Sequence, residues 1–123
     1  MSKLDLHQMM TQDLVALFAK VTVEQDDALL GNQISRFNRL FGVMAEIADE
    51  LKARDGDQRT ALLSLFEYPN MQVRLQAAKL TLAVAPVKAR EQLEAIVSSK
   101  WFPQAGDAGM CLDLLDDGTF KPK

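Results

Sequence analysis

Apolar side chains recur at intervals of three and four along most of the chain, the spacing that places residues on one face of an α-helix. The clearest example lies between residues 71 and 85. One face of this predicted helix consists of Val73, Ala77, Leu80 and Val84. A second apolar side consists of Leu75, Ala78 and Leu82. A helix that is apolar on two sides is expected to be packed between neighbouring helices.

The first half of the chain contains two longer stripes of the same kind. Over residues 12–30 the stripe consists of Leu14, Leu17, Phe18, Val21, Ala28 and Leu29. Over residues 33–54 it consists of Ile34, Phe37, Phe41, Met44, Ala48 and Leu51. Shorter apolar faces are present over residues 58–67 and 86–98. Each of these segments is therefore interpreted as a helix that buries one side.

Helix starts and stops are marked by residues with specific backbone roles. Asn70 is a good N-cap, because its side-chain oxygen can accept a hydrogen bond from a free amide of the first turn. Pro69 ends the preceding helix, and Pro86 suits the first turn of the next one. Elsewhere a glycine precedes a capping residue, in the pairs Gly31–Asn32 and Gly56–Asp57. The last helix is predicted to begin at Asp107 as its cap and to end at Gly118.

Together these signals predict six helices, at residues 12–30, 33–54, 58–67, 71–85, 86–98 and 108–116. No stretch alternates with a period of two for long enough to form a strand, so the predicted fold is all-α. Because the connections are short, consecutive helices are expected to pair as three antiparallel hairpins. We expect one domain over residues 1–123, with a loosely ordered segment at 1–10 and a capping segment at 99–123.

The segment "YPNMQVRLQAAKLTL" is similar to the second helix of a HEAT repeat. In such repeats a turn with proline and asparagine or aspartate leads into Val-Arg and then into a pair of alanines. The matching positions here are Pro69, Asn70, Val73, Arg74, Ala77 and Ala78. This resemblance covers one repeat, whereas solenoids contain three or more repeats.

The chain from Leu14 to Phe120 also resembles a family of small bacterial proteins of unknown function. The resemblance is carried by "NRLF" at 38–41, by the HEAT-like segment 69–78, and by "SKWFPQAGDAGM" at 99–110. It implies an armadillo-like or HEAT-like α-α superhelix. It implies no substrate, cofactor or catalytic residue.

Composition and candidate chemistry restrict the function classes. The chain has 123 residues, a formal net charge of −3, one cysteine and one histidine. No apolar run is long enough for a membrane span, the N-terminus lacks a signal peptide pattern, and a lone cysteine fits the reducing cytoplasm. His7 and Cys111 have no catalytic or metal-binding partners near them in sequence, so both are interpreted as structural. We therefore expect neither an enzyme nor a cofactor.

Two groups of residues are candidates for partner binding. Trp101 and Phe102 follow the helical repeat, and they either fold back as a cap over the end of the stack or form an exposed anchor. The cap is the favoured interpretation. The second group consists of Arg36, Asn38, Arg39 and Arg74. If the second helix of each hairpin lines the concave side of a superhelix, these residues form one face, although an ordinary solvated face explains them too.

The leading hypothesis is a non-catalytic protein-interaction module, because solenoid surfaces bind partners and no catalytic set is present. An alternative is a nucleic-acid-binding HEAT-like protein, which the negative net charge disfavours. Another is an immunity-type protein that neutralises a toxin. The sequence indicates neither the partner nor the oligomeric state.

Overall fold

A computed structural model describes the backbone of residues 3–123 and the side chains from Leu6 onward. The described residues form helices and contain no strand, which confirms the predicted all-α fold. The helices are α1 (Lys3–Gln8), α2 (Thr11–Leu30), α3 (Ile34–Ala53), a 3₁₀ helix (Gln58–Glu67), α4 (Met71–Thr81), α5 (Pro86–Ser99) and α6 (Gln104–Asp116).

Two of the local signals act as their chemistry requires. The Asn70 side-chain oxygen accepts hydrogen bonds from the amides of Gln72, at 2.9 Å, and Val73, at 3.3 Å, and so caps α4. Pro86 is the first residue of α5. The segment 58–67 is helical as predicted, but it winds as a 3₁₀ helix.

Two predicted helix starts differ from the structure, at α3 and α6. Asn32 has a positive φ angle of 55°, so it belongs to a left-handed turn and is not the N-cap of α3. Asp57 also has a positive φ angle, of 52°, but the 3₁₀ helix begins directly after it, as predicted, and its Oδ1 accepts a hydrogen bond from the Arg59 amide at 3.3 Å. The cap position of α3 is Gln33. Asp107 lies within the first turn of α6, which begins at Gln104. This early start follows from tertiary contact, because the buried Gln104 Nε2 donates to Gln72 Oε1 on α4 at 3.0 Å.

The N-terminal segment contains a helix where the sequence predicts a loosely ordered stretch. Residues 1 and 2 lie outside the described residues, but Lys3–Gln8 form α1, and this helix contacts α3. The physical reason is the burial of Leu6, whose side chain is 2% exposed. An apolar side chain held away from water keeps a short helix in place that would be marginal by itself.

The chain divides into two compact units, residues 1–61 and residues 62–123. In the first unit α2 packs along α3. Its buried side chains include Leu14, Phe18, Val21, Leu40, Met44, Ile47 and Leu51. This packing includes one polar contact between the two helices, in which Gln25 Nε2 of α2 lies 3.4 Å from Met44 Sδ of α3.

Arg54, at the C-terminal end of α3, links the α1–α2 turn to the end of α3 by hydrogen bonds. Its Nη2 donates to the carbonyl oxygens of Leu6, at 3.1 Å, and Met9, at 2.6 Å. Its Nη1 donates to Thr11 Oγ1 at 3.2 Å, and its Nε donates to Glu50 Oε2 at 2.9 Å. The guanidinium thus adds hydrogen bonds to carbonyls at the C-terminal end of α1 and in the turn that follows it.

In the second unit α4, α5 and α6 pack against one another. They share a core cluster formed by Leu75, Ala78, Leu82, Ala89, Leu93, Ile96, Ala108 and Cys111. Phe66 from the 3₁₀ helix and Phe120 from the C-terminal tail pack against this cluster. The single domain, the three stacked hairpins and the superhelix stay predictions.

Candidate protein-binding surfaces

The arginines and the asparagine proposed on α3 differ in how free their side chains are. Arg36 is half-buried; its Nη1 donates to Gln33 Oε1 at 3.0 Å, and its Nη2 lies 3.7 Å from Glu24 Oε1 on α2. Asn38 and Arg39 are exposed. Arg36 therefore braces the α2–α3 hairpin, while Asn38 and Arg39 are available to a partner.

Arg74 performs a structural task. Its Nε donates to the carbonyl oxygen of Tyr68 at 2.5 Å, just beyond the end of the 3₁₀ helix. The guanidinium thus stabilises the turn that leads into α4. Arg36, Asn38 and Arg39 belong to the first compact unit and Arg74 to the second. A single face that includes all four stays a prediction.

Two residues of the predicted apolar stripe on α3 are exposed instead of buried. Ile34 is 68% exposed and Phe41 is 44% exposed. The buried face of α3 is formed by Leu40, Met44, Ile47, Ala48 and Leu51. Ile34, Asn38, Phe41 and Ala45 form a stripe that borders this buried face, and we call it the α3 outer face. The ring of Phe41 is partly supported by Phe37, with ring centroids 6.3 Å apart.

Trp101 and Phe102 do not form the cap that the sequence favours. Trp101 is 63% exposed and Phe102 is 69% exposed. The chain reverses at Lys100, whose φ is 56°, and α6 then begins at Gln104. Because Ala108 and Cys111 of α6 already cover the core of the second unit, the two rings are not needed there.

The backbone that carries these rings is well defined. The Trp101 amide donates to Ser99 Oγ at 3.2 Å, and the Trp101 carbonyl accepts from the Ala105 amide at 2.8 Å. Phe102 lies beside α6, since a Cβ built on Gly106 would lie 3.7 Å from the Phe102 ring. The aromatic pair is thus presented on an ordered turn.

An apolar stripe continues from Phe102 along the exposed side of α6. Met110 is 65% exposed, and Leu114, four residues further on, is 37% exposed. We call the group Trp101, Phe102, Met110 and Leu114 the C-terminal surface. Met110 and Leu114 are not among the candidates predicted from the sequence, although they follow Phe102 and Gly106 at intervals of four residues.

Acidic side chains lie along the α6 part of the C-terminal surface, whereas the exposed cation Lys100 directly precedes Trp101. Asp107 forms an ion pair with Lys79 Nζ at 3.0 Å, and Asp116 forms one with Arg90 Nη1 at 2.8 Å. The hydrogen bond with Arg90 lowers the pKa of Asp116. Asp113 and Asp117 are exposed. The side chain and backbone of Thr119 lower the pKa of Asp117, so this carboxylate stays charged near neutral pH.

A groove of about 530 Å³ lies on the second unit, near the start of α5. It is lined by Leu82, Ala83, Pro86, Val87, Arg90, Glu91, Leu115 and Pro122. Most of these side chains are apolar, and Arg90 at the rim is occupied by its pair with Asp116. None of these described lining residues is a histidine or carries a hydroxyl or thiol nucleophile.

His7 and Cys111 are the two residues considered for catalysis, and the contacts of each fit a structural role. His7 Nδ1 lies 3.3 Å from Glu50 Oε1, beside the Arg54 network. Cys111 is buried, and desolvation raises the pKa of its thiol. Among the side chains from Leu6 onward, no group of His, Cys, Asp and Glu is arranged to hold a metal ion.

The structure thus defines an all-α protein whose exposed apolar surfaces are its most distinctive features. The chain belongs to the family described as Domain of unknown function (DUF2019), whose model matches residues 12–116. This confirms the resemblance to a family of unknown function. No curated protein matches the chain.

A solved structure is also similar to this chain. The crystal structure of the protein RPA1889 from Rhodopseudomonas palustris CGA009 has 99% sequence identity, over 96% of this chain and 98% of that chain, with a TM-score of 0.95. Within residues 3–123, no helix is both long enough and apolar enough to cross a membrane.

Proposed function

We propose that this protein is a non-catalytic protein-interaction module that binds its partner through the C-terminal surface. The observation that carries the proposal is the exposure of Trp101 and Phe102, at 63% and 69%, on an ordered turn. Large aromatic side chains lose contact with water when a partner covers them, and tryptophan is over-represented among the residues that dominate binding energy.

The stripe along α6 extends the proposed contact beyond the aromatic pair. Met110 adapts to irregular partner surfaces, because its side chain is unbranched and polarizable. Gly106 lies between Phe102 and Met110, and its missing side chain lets the Phe102 ring lie against α6. An apolar centre of this kind, surrounded by polar side chains, is the usual composition of a protein interface.

The charges favour a basic partner. Asp113 and Asp117 flank the stripe, and complementary charges increase both the rate and the specificity of association. The partner that fits is a segment with apolar side chains bordered by lysine or arginine. The same acidic border disfavours nucleic acid, whose phosphates require cations from the protein.

Location and architecture follow from other residues of the chain. A cytoplasmic location follows from the single cysteine, Cys111, which fits a reducing compartment. A HEAT-like role in presenting an extended surface follows from the resemblance of segment 69–78 to such repeats. A toxin is one member of the proposed class of partners, if that toxin carries a basic, apolar contact segment.

The single tryptophan provides the test. Trp101 is the only tryptophan of the chain, so its fluorescence reports directly on the C-terminal surface. The probes are two amphipathic helical peptides with the same leucine positions, one with lysine and one with glutamate at all polar positions. We expect the lysine peptide to shift the Trp101 emission to shorter wavelength in a saturable manner, and the glutamate peptide to have little effect.

Variants locate the contact. Met110→Ser is expected to weaken binding of the lysine peptide at least about fivefold, the scale of one buried apolar side chain at an interface. Val87→Ser is the matched control, because Val87 is equally exposed on the same unit but lies outside the C-terminal surface. Equal binding of both peptides, or equal loss in both variants, would contradict the proposed surface.

A further inference from the structure

The turn after α5 departs from the usual way in which such a helix ends. α5 ends at Ser99, and the next residue, Lys100, is left-handed, with a φ of 56° and a ψ of 24°. Helices that end in a left-handed residue are commonly closed by two backbone hydrogen bonds. The amide of the left-handed residue donates to the carbonyl three residues earlier, and the following amide donates to the carbonyl five residues earlier. In this chain the two bonds would join Lys100 to Val97 and Trp101 to Ile96.

The first of these bonds is formed, and a side chain replaces the second. The Lys100 amide donates to the Val97 carbonyl at 3.2 Å. The Trp101 amide donates to Ser99 Oγ at 3.2 Å, and Ser99 Oγ donates in turn to the Ile96 carbonyl at 2.5 Å. Within the described part of the chain, no direct hydrogen bond joins the Trp101 amide to the Ile96 carbonyl. The Ser99 hydroxyl therefore lies between the two groups as a relay, and the turn stays wider than a directly bonded one.

The wider turn accounts for the exposure of the Trp101 ring. In a directly bonded turn, an apolar side chain after the left-handed residue commonly packs against the last turn of the helix, which here means the side of Ile96. Trp101 is instead 63% exposed, although Ile96 is buried in the core cluster of the second unit. An aromatic ring gains free energy by leaving water, so a group in the turn must oppose its approach to α5. The Ser99 hydroxyl is the group that separates the two backbone atoms.

We propose that Ser99 is the positioning residue of Trp101, because its hydroxyl holds the turn open and directs the ring into solvent. Without the hydroxyl, the Trp101 amide and the Ile96 carbonyl both lose a partner, and a direct bond between them satisfies both. This closure moves the Trp101 ring toward α5 and covers part of it. A single hydroxyl group thus determines whether the ring is presented or packed.

The consequence for partner binding rests on the proposed function of the C-terminal surface. If a partner binds only molecules with an exposed Trp101 ring, the apparent affinity is reduced by the fraction of molecules whose turn is closed. In the wild type the open turn is formed before a partner arrives, which lowers the entropic cost of association. Ser99 therefore contributes to binding through Trp101 without contacting the partner.

Fluorescence of the free protein tests the positioning role without any partner. Trp101 is the only tryptophan, so emission and acrylamide quenching report on this ring alone. Ser99→Ala is expected to shift the emission to shorter wavelength and to lower the quenching constant by about half, as the 63% exposed ring packs against α5. Ser98→Ala is the matched control, because Ser98 is the exposed serine just before it, and its emission should equal that of the wild type. Ser99→Thr keeps a hydroxyl and should retain the wild-type emission.

Thermal unfolding separates repositioning of the ring from a general loss of structure. Ser99→Ala exchanges the hydroxyl relay for one direct bond and buries apolar surface. We therefore expect its unfolding midpoint to stay within about 3 °C of the wild type. A turn that loosens instead of closing would expose the ring further and shift the emission to longer wavelength, which would overturn the proposal. An unchanged emission in Ser99→Ala, or a shifted emission in Ser99→Thr, would overturn it too.

Titration with the lysine peptide tests the consequence for binding. Ser99→Ala is expected to bind the peptide at least about fivefold more weakly, whereas Ser98→Ala and Ser99→Thr bind like the wild type. Wild-type affinity in a Ser99→Ala protein whose emission has shifted would overturn the role of Ser99 in binding. A wild type that binds no peptide contradicts the proposed function alone, because the emission of the free variants still decides whether Ser99 positions Trp101.

Discussion

Removing the guanidinium of Arg54 is expected to weaken the first unit by detaching the α1–α2 turn from the end of α3. The side chain is 18% exposed and donates to two backbone carbonyls, of Leu6 and Met9, and to the side chains of Thr11 and Glu50. All of these bonds are lost together in Arg54→Ala.

The expected loss follows from what each bond contributes. A hydrogen bond to a charged group contributes about 1.5–3 kcal/mol, but bonds within one network are not additive, and part of this network is reached by solvent. We therefore expect Arg54→Ala to lower the free energy of unfolding by about 2–3 kcal/mol. Arg54→Lys keeps the charge near Glu50 but loses the planar fork, so about half of this loss is expected to remain.

Urea denaturation followed by circular dichroism measures this difference, provided that the slope against urea concentration is unchanged. Lys52→Ala is the control, because Lys52 is an exposed cation in the last turn of α3. We expect this control to change stability by less than about 0.5 kcal/mol. If Arg54→Ala and Lys52→Ala unfold at the same urea concentration, the Arg54 network does not hold the N-terminal turn.

The same network has an expected pH dependence. The Arg54 hydrogen bond lowers the pKa of Glu50, so the folded state binds this proton less readily than the unfolded state. The resulting stability is present above the unfolded pKa of about 4.3 and is lost as the pH falls through the folded pKa. We therefore expect the stability difference between wild type and Arg54→Ala to shrink when the pH is lowered from 6 to about 3.

Three further expectations concern other parts of the chain. Trp101→Ala should lower the free energy of unfolding by about 1 kcal/mol, because a fully buried tryptophan contributes ~3–5 kcal/mol and about a third of this side chain is buried. Gly42→Ala should raise the free energy of unfolding by about 1 kcal/mol, because alanine is the better helix former and a Cβ there would meet no atom within 4 Å. The Cys111 thiol should react with alkylating reagents far more slowly in the native than in the unfolded protein, since burial raises its pKa.

Each of these expectations has an outcome that contradicts it. A loss of 3 kcal/mol or more in Trp101→Ala would show a buried ring, as the cap interpretation requires. A destabilised Gly42→Ala would reveal a neighbour that needs the missing side chain. Equal alkylation rates of native and unfolded protein, followed by mass spectrometry, would show that Cys111 is accessible.

Several elements could be predicted from the sequence because local chemistry determines them. The apolar interval of three and four specifies helices whatever the partners are, and Asn70 and Pro86 act within a single turn of backbone. The 3₁₀ winding of residues 58–67 could not be read from the same interval, because both helix types repeat at about three to four residues.

The candidate surfaces could be predicted only in part. Asn38, Arg39, Trp101 and Phe102 were identified as candidates by residue type, and each is exposed. Arg36 and Arg74 are of the same residue type as Arg39, but Arg36 contacts Glu24 and Arg74 contacts the Tyr68 carbonyl, so both have structural roles. Residue type shows what a side chain can do, whereas its neighbours decide whether it is free to do it.

The sequence by itself determined the helix content of this protein, because helix periodicity and capping depend on residues within one or two turns. Only the tertiary structure decided which side of each helix is buried. The apolar stripe of α3 includes both Ile34 and Met44, and packing against α2 covers Met44 and leaves Ile34 in water. Gln104 shows the same effect at a helix start. It makes a buried contact with Gln72, and α6 begins at Gln104 and not after the predicted cap Asp107. Burial depends on residues distant in the chain, so the exposed rings of Phe41 and Trp101 follow from packing and not from local pattern.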